Sequence, residues 1–301
     1  MVPSAVNPGQ LPDLTPCYWG SVNQWECDEN DHLNVRFYAH KINQAIQILA
    51  ASLGAASPAA VLPRVRAQHI RFLRESRVAT PLRVDCGVVR RDAQFVLLLS
   101  LMHHNVSGEV LASFLTTIDA AGWPSAGAQP AATEVPDFAQ PRGIVPGALP
   151  PPQSREAALQ AGYRVVGRGI IEHEECDQAG VLLPHVYIGR ISDGMPNLWA
   201  FVNADEERAA REQGSLGGAA LEQRLAVLQP LRAGAVFTQL SGVRAMGSKT
   251  QNMSHLIYDE GGGCFAATAE AVGVAMDLTT RKAVPISAER RSRLEPLLLR
   301  T

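Results

Sequence analysis

The sequence has no Cys-x-x-Cys pair, no basic run longer than Arg90-Arg91 or Arg290-Arg291, and no apolar stretch long enough to span a bilayer. Each absence argues against a class of function. Cys17, Cys27, Cys86, Cys176 and Cys264 are odd in number and widely spread, which speaks against a disulfide framework or a cysteine zinc site and fits a reducing compartment. A net charge of −2 gives no basic excess for nucleic acid. The longest strongly apolar run, Phe95 to Met102, is too short for a membrane helix, and the N-terminus lacks the basic and apolar regions of a signal peptide. The expectation is a cytoplasmic protein without nucleic-acid or membrane partners.

What is present is a folding composition: 301 residues, 46% apolar and 19% charged, enough for one large domain or two ordinary ones. Prolines divide the chain. Pro3, Pro8, Pro12 and Pro16 leave residues 1–16 as an extended lead-in. Tyr18 to Trp25 reads as a strand, and Tyr38, Ile42, Ala45, Ile46, Leu49, Ala50 and Leu53 recur at helical spacing up to Gly54. Strand-like runs follow at 70–76, 82–90, 95–103 and 110–119, so residues 17–121 form an α+β domain in which antiparallel strands bury one helix. Residues 122–160, with Pro124, Pro130, Pro136, Pro141, Pro146 and Pro150-Pro151-Pro152, read as an extended surface linker. Residues 161–301 make a second domain: a strand at 164–175, a helix after His185, and strands near 235–246, 251–259 and 264–277.

The segment from Trp25 to Tyr38 concentrates chemistry. Asp28, His32 and Asn34 stand on a loop that runs into the first helix. A helix start carries N–H groups without intrahelical partners and a partial positive charge, so an oxygen that becomes negative during a reaction is stabilised there. The N–H groups near Val35 and Arg36 are the natural donors. The segment also recurs: Glu175-Cys176-Asp177 repeats Glu26-Cys27-Asp28, and Tyr187 repeats Tyr38, at one offset of residue number and with the same succession of elements after it. Two such copies can pair as the subunits of a homodimer do.

These residues resemble a known family. Asp177-Gln178-Ala179-Gly180 with Tyr187 is similar to the Asp-x-Ala-Gly…Tyr signature of the 4-hydroxybenzoyl-CoA thioesterase group of hotdog-fold proteins. Asp28, His32, Asn34 and Tyr38 are similar to the Asp-x-x-Gly-His-x-Asn-x-x-x-Tyr version in related acyl-CoA thioesterases, except that Asp31 stands in place of glycine. The resemblance implies a tandem or double hotdog, each sheet wrapped around one long helix and the two joined as a pseudo-dimer. It also implies a thioester substrate with coenzyme A, or less often acyl carrier protein, as the leaving group, coenzyme A entering only as part of that substrate, no metal or other cofactor, and further association into a homodimer of double-hotdog chains.

Thioester hydrolysis needs an activated water or a nucleophile and a donor to the developing oxyanion. Asp28 is assigned the first task, as general base or nucleophile. His32 orients it or the water, and Asn34 donates to the carbonyl. The bland alternative is that Asp28 only caps the turn. In the second copy Asp177 remains, but Val181, Leu183 and Pro184 replace His32, Asn34 and Val35, and proline has no N–H to donate. The two sites are therefore expected to be unequal, with His185 the donor nearest to hand for Asp177. Tyr38, Tyr187, Val35, Arg36, His185 and Thr250 complete the substrate-binding set, Thr250 through a strand-edge loop. Gly247-Ser248-Lys249-Thr250 lacks the glycine spacing of a P-loop, which rejects nucleotide hydrolysis. His103-His104 is no metal site, because adjacent strand residues face opposite sides. Arg64, Arg66, Arg71 and Arg74 are surface arginines that could meet coenzyme A phosphates. A hotdog hydratase and a non-catalytic acyl-CoA binder are the other readings, separated by whether free thiol is released.

Overall fold

The computed structural model describes residues 12–124, 134–144, 150–202, 209–210 and 212–300. The start of the lead-in and linker residues 125–133 and 145–149, expected to be extended, lie outside the described residues. The chain divides into two compact units, Met1–Pro141 with Leu183–Ile188, and Arg142–Leu182 with Gly189–Thr301.

In the first unit the helix is α1, Val35–Ser52. Asn34 starts it, accepting the Arg36 N–H on its side chain, which satisfies one of the amides a helix start leaves open. Its apolar face, Tyr38, Ile42, Ala45, Ile46 and Leu49, is buried. Two polar residues tie it to the strands: Lys41 donates to Glu26 at 2.8 Å and to the Ser21 carbonyl at 3.1 Å, and Asn43 accepts from Gln68 at 2.9 Å. The strands are β1 (Thr15–Ser21), β2 (Val65–Phe72), β3 (Pro81–Arg91), β4 (Phe95–His104) and β5 (Val110–Asp119), all antiparallel in the order β1-β3-β4-β5-β2.

Two elements differ from the sequence expectation. The first strand stops at Ser21 instead of Trp25, because Asn23 and Glu26 cap each other and fold Gln24–Glu26 into a 3-10 turn. The second lies at Val65–Phe72 instead of 70–76. The N–H groups of Leu73 and Arg74 both turn to the Leu111 carbonyl, and the Ser76 carbonyl leaves the ladder to accept from Leu33.

The second unit contains α2 (Arg155–Gln160), β6 (Arg164–Ile170), most of α3 (Pro184–Val202), β7 (Leu216–Val227), β8 (Val236–Met246), β9 (Thr250–Asp259), β10 (Cys264–Asp277), β11 (Lys282–Ala283) and α4 (Ala288–Leu294). Here the strand expected at 164–175 ends at Ile170, and a 3-10 turn takes His173–Glu175. Its strand order, β6-β8-β9-β10-β7, repeats that of the first unit element for element. Irregularities repeat too: Pro16/Tyr18 and Val88/Arg90 in the first unit correspond to Val165/Gly167 and Val243/Ala245 in the second. The strand β7 and the helix α4 have no counterpart in the sequence reading. Ile286, Leu294 and Leu297 from the C-terminal segment pack with Leu198, Val202, Val243 and Met253.

The linker is more than an extended surface connection. Val135, Phe138 and Ala139 pack on Leu99, Leu101 and Val110 of the first unit. In the second, α2 places Ala158 with Tyr163, Leu240, Leu256 and Phe265. These strand residues are apolar, and leaving them in water would forfeit about 25 cal/mol per Å² of burial. Where the linker enters the second unit, the Glu222 carboxylate accepts the successive N–H groups of Arg142, Gly143 and Ile144 at 3.0, 2.7 and 3.4 Å. Glu222→Ala leaves those amides without their acceptor and is expected to lower stability by about 2–3 kcal/mol. Urea denaturation would measure this, and an unchanged midpoint would show that the carboxylate does not hold the linker.

Candidate active site

The Asp28 loop closes on its own backbone. Asp28 Oδ1 accepts the N–H groups of Asn30 (2.9 Å) and His32 (3.1 Å), and the Asp28 N–H donates to the His32 carbonyl at 2.7 Å. Asp31 sits at the apex with φ 59°, a left-handed conformation that short polar side chains tolerate better than most. The turn thus forms without the glycine. Asp28 Oδ2 makes no hydrogen bond among the described residues, so one oxygen holds the turn and the other stays available.

Around this carboxylate lie the other sequence candidates. The His32 ring is buried, with Nε2 3.4 Å from Glu75 Oε2 and not on Asp28. Asn34 accepts the Arg36 N–H on its side-chain oxygen and the Phe37 N–H on its carbonyl. The Arg36 amide is already engaged. Among the described residues, the Val35 N–H at the helix start makes no hydrogen bond. Tyr38 is buried, its hydroxyl donating to Ser76 Oγ at 3.1 Å and to the Arg74 carbonyl at 3.3 Å; burial pushes its pKa up to about 12. That makes Tyr38 a clamp between helix and loop more than a group for substrate.

The second loop has the same skeleton. Asp177 Oδ1 accepts from Ala179 (3.0 Å) and Val181 (2.7 Å), its N–H donates to the Val181 carbonyl, and Gly180 has φ 73° where the first copy has Asp31. An ion pair stands behind each loop in both copies: Lys41 to Glu26 at 2.8 Å, both buried, and the half-buried Arg190 to Glu175 at 2.6 Å.

Comparison with known proteins bears on this duplicated loop. A family model matches the chain over two stretches, residues 22–137 and 171–294, each of which includes one loop. The chain belongs to the thioesterase-like superfamily. Solved structures show the same fold at low identity. A putative oleoyl thioesterase from Lactobacillus plantarum superimposes with a TM-score of 0.61 at 12% identity, covering 89% of this chain and 98% of that one. The 12:0-ACP thioesterase from Umbellularia californica gives 0.60 at 13%, covering 86% and 93%. An acyl-ACP thioesterase from Bacteroides thetaiotaomicron gives 0.58 at 11%, covering 85% and 96%. No curated protein matches the sequence. Membership of this superfamily supports thioester hydrolysis and a hotdog-type fold.

The remaining thioesterase candidates fall in several places. Thr250 begins β9, beside Gly247 in the turn from β8. Tyr187 is buried, as Tyr38 is. Arg66 is held by both Asp119 oxygens, Arg74 by Glu109, and Arg71 donates to the Gln140 carbonyl, whereas Arg64 is exposed. Of the histidine pair, His103 is buried against Asp85 at 3.3 Å and His104 binds the backbone of its turn. No group of three or more metal-ligating side chains occurs among the described residues, and no helix there is long and apolar enough to cross a membrane. Glu75 was not among the sequence candidates. Only the fold brings it to His32, and no local motif signals it.

His185 belongs to the first unit, where it stacks on His40 with ring centroids 4.6 Å apart. Burial, and then the nearness of His40 and Arg36, pushes its pKa down to about 3. An unfolded histidine binds its proton near pH 6.5. The folded value is depressed, so the unfolded chain holds the extra proton between about pH 6.5 and 3, and stability falls as pH drops through that window. One proton corresponds to a slope of about 1.4 kcal/mol per pH unit. His185→Phe, which keeps a ring on His40, is expected to flatten the slope by up to that amount in denaturant titrations at pH 7, 6 and 5; parallel curves for the two proteins would contradict it.

Proposed function

We propose that the chain hydrolyses an acyl-CoA thioester at the Asp28 loop. The observation that supports this most is the divided role of one carboxylate: Oδ1 is fixed by two backbone N–H groups, while Oδ2 is left to act beside the start of α1. A base or nucleophile is useful when its orientation is set in advance. Oδ2 takes the proton from a water, or attacks the carbonyl itself to give a mixed anhydride that water then cleaves. Either route creates an oxyanion, for which the Val35 N–H and the Asn34 amide are the donors at the positive end of the helix. His32, oriented by Glu75, positions the water or the carbonyl. Thiolate departs without help from a strong acid, since thiols ionise near pH 8.5. No metal or redox step is required.

In the same proposal, residues 17–121 and 161–301 are the two hotdog repeats, each sheet wrapping its helix, paired as a pseudo-dimer in a cytoplasmic protein that further associates as a homodimer. The Asp177 loop keeps the carboxylate but offers valine, leucine and proline where the first copy has His32, Asn34 and Val35. Proline removes the very amide left open in the first copy. Hydrolysis is thus assigned to the Asp28 loop, and the Asp177 loop is structural or altered.

Thiol release from a panel of acyl-CoAs tests this. Asp28→Asn can still accept the Asn30 and His32 amides, so the loop should hold while kcat falls by about 10²- to 10⁴-fold. Asp177→Asn should stay within about threefold. Glu75→Gln should lower kcat roughly tenfold by loosening His32. Loss of activity in Asp177→Asn alone would reverse the assignment.

A further inference from the structure

Arg36, His40 and Gln44 stand four residues apart on α1, so they form one polar stripe along the helix. It begins at the proposed reaction centre and is distinct from the buried face carrying Ile42, Ala45, Ile46 and Leu49. His185 closes over its middle. The two imidazoles stack at 4.6 Å with an interplanar angle of 28°, and Gln44 Nε2 lies 3.2 Å from His40 Nε2.

This group of side chains has donors in excess. His185 is 8% exposed, yet its Nδ1 makes no hydrogen bond among the described residues. Buried polar atoms are nearly always paired, and one that is not calls for a partner. The Arg36 guanidinium lies 5.8 Å over the Phe37 ring and has no ion-pair partner among the described residues. Of the carboxylates on the same loop and its neighbours, Glu75 lies on His32 and Glu26 on Lys41, while Asp28 holds its turn with Oδ1 and keeps Oδ2 for the proposed reaction. Burial, with the adjoining cations, pushes the pKa of both imidazoles down.

We propose that Arg36 and His185 together bind a carboxylate on the acyl chain, so that the preferred substrate is an ω-carboxyacyl thioester. The proposal rests on the thioesterase reading of the Asp28 site and names its substrate class. The planar guanidinium fork takes a carboxylate through two parallel N–H donors. One carboxylate oxygen then reaches His185 Nδ1, whose proton the incoming negative charge retains. The phosphates of coenzyme A offer the same anionic chemistry, but His185 is interior and phosphates on a nucleotide tail are drawn to solvent-facing cations.

The test uses the full chain and two non-hydrolysable thioethers, S-butyl-CoA and S-(3-carboxypropyl)-CoA, with affinities measured by calorimetry. Both carry the same phosphates, so their ratio reports the acyl end alone. The wild type is expected to bind the carboxy analogue at least about tenfold tighter. His185→Phe and Arg36→Gln are each expected to reduce that preference below about threefold. Equal affinity of the wild type for both, or a preference that survives both substitutions, would overturn the proposal. So would equal weakening of both analogues by Arg36→Gln, which would place Arg36 on the phosphates. Thiol release from butyryl-CoA and glutaryl-CoA is followed separately: binding preference without turnover of any thioester would sink the hydrolase reading and leave the carboxylate site standing.

Discussion

A carboxylate that accepts two backbone N–H groups holds each of the two aspartate loops. Without Asp28 Oδ1 the amides of Asn30 and His32 would lose their acceptor, and His32 would have no fixed relation to the helix start. The loop is secured from behind as well. Glu26 caps the 3-10 turn before it and meets Lys41 of α1, both buried, and removing one member of such a pair typically costs about 3–5 kcal/mol because the other charge is left uncompensated. Tyr38 adds a third attachment through Ser76. Strand, loop and helix are thereby locked together around one oxygen that has no structural duty.

The duplication separates scaffold from chemistry. Both copies retain the acid before the loop, its cationic partner on the helix, the aspartate, the left-handed residue at the apex and the tyrosine one turn into the helix. All of these hold shape. What differs is the set of loop residues that follow the aspartate: His32 against Val181, Asn34 against Leu183, Val35 against Pro184. The glycine expected at position 31 belongs to the scaffold, and Asp31 fills that place at φ 59° because an aspartate can adopt the conformation at modest cost.

The sequence revealed α1 through apolar residues at helical spacing, β3 through alternation at Leu82, Val84, Cys86 and Val88, and β4 through a nearly continuous apolar run. Periodicity failed for β7, which opens Leu216-Gly217-Gly218-Ala219-Ala220 and offers no such alternation. That strand is defined by its long ladder with β10, a partner remote in sequence. Proline content reports local stiffness and not what a segment covers, so the packing of Val135, Phe138 and Ala139 is not legible in it. At the site, Asp28, His32 and Asn34 were legible because they are close in sequence. Glu75 and the stacking of His185 on His40 were not, since each contact joins positions separated by whole elements. The arginines Arg66 and Arg74, considered as phosphate ligands, turn out to answer Asp119 and Glu109, acids that only the strand register brings alongside.

The interiors of the two units have diverged as far as their loops. The ladder pair Cys86 and Ser100 in the first unit corresponds to Ser241 and His255 in the second, with Val84 corresponding to Gln239. Ser241 Oγ lies 2.8 Å from His255 Nδ1, and Gln239 Nε2 reaches the Ile191 carbonyl of α3 at 3.2 Å. Gly194 makes the approach feasible, since a Cβ there would stand 2.4 Å from Gln239 Oε1. Burial pushes the His255 pKa down to about 4, so the ring is neutral and the network carries no net charge. A satisfied polar network beneath a helix resists rearrangement, because displacing any member strands a buried donor or acceptor. The second unit therefore keeps α3 seated on its sheet through directional bonds, whereas the matching positions of the first rely on Val84 and on thiol and hydroxyl groups that bond weakly.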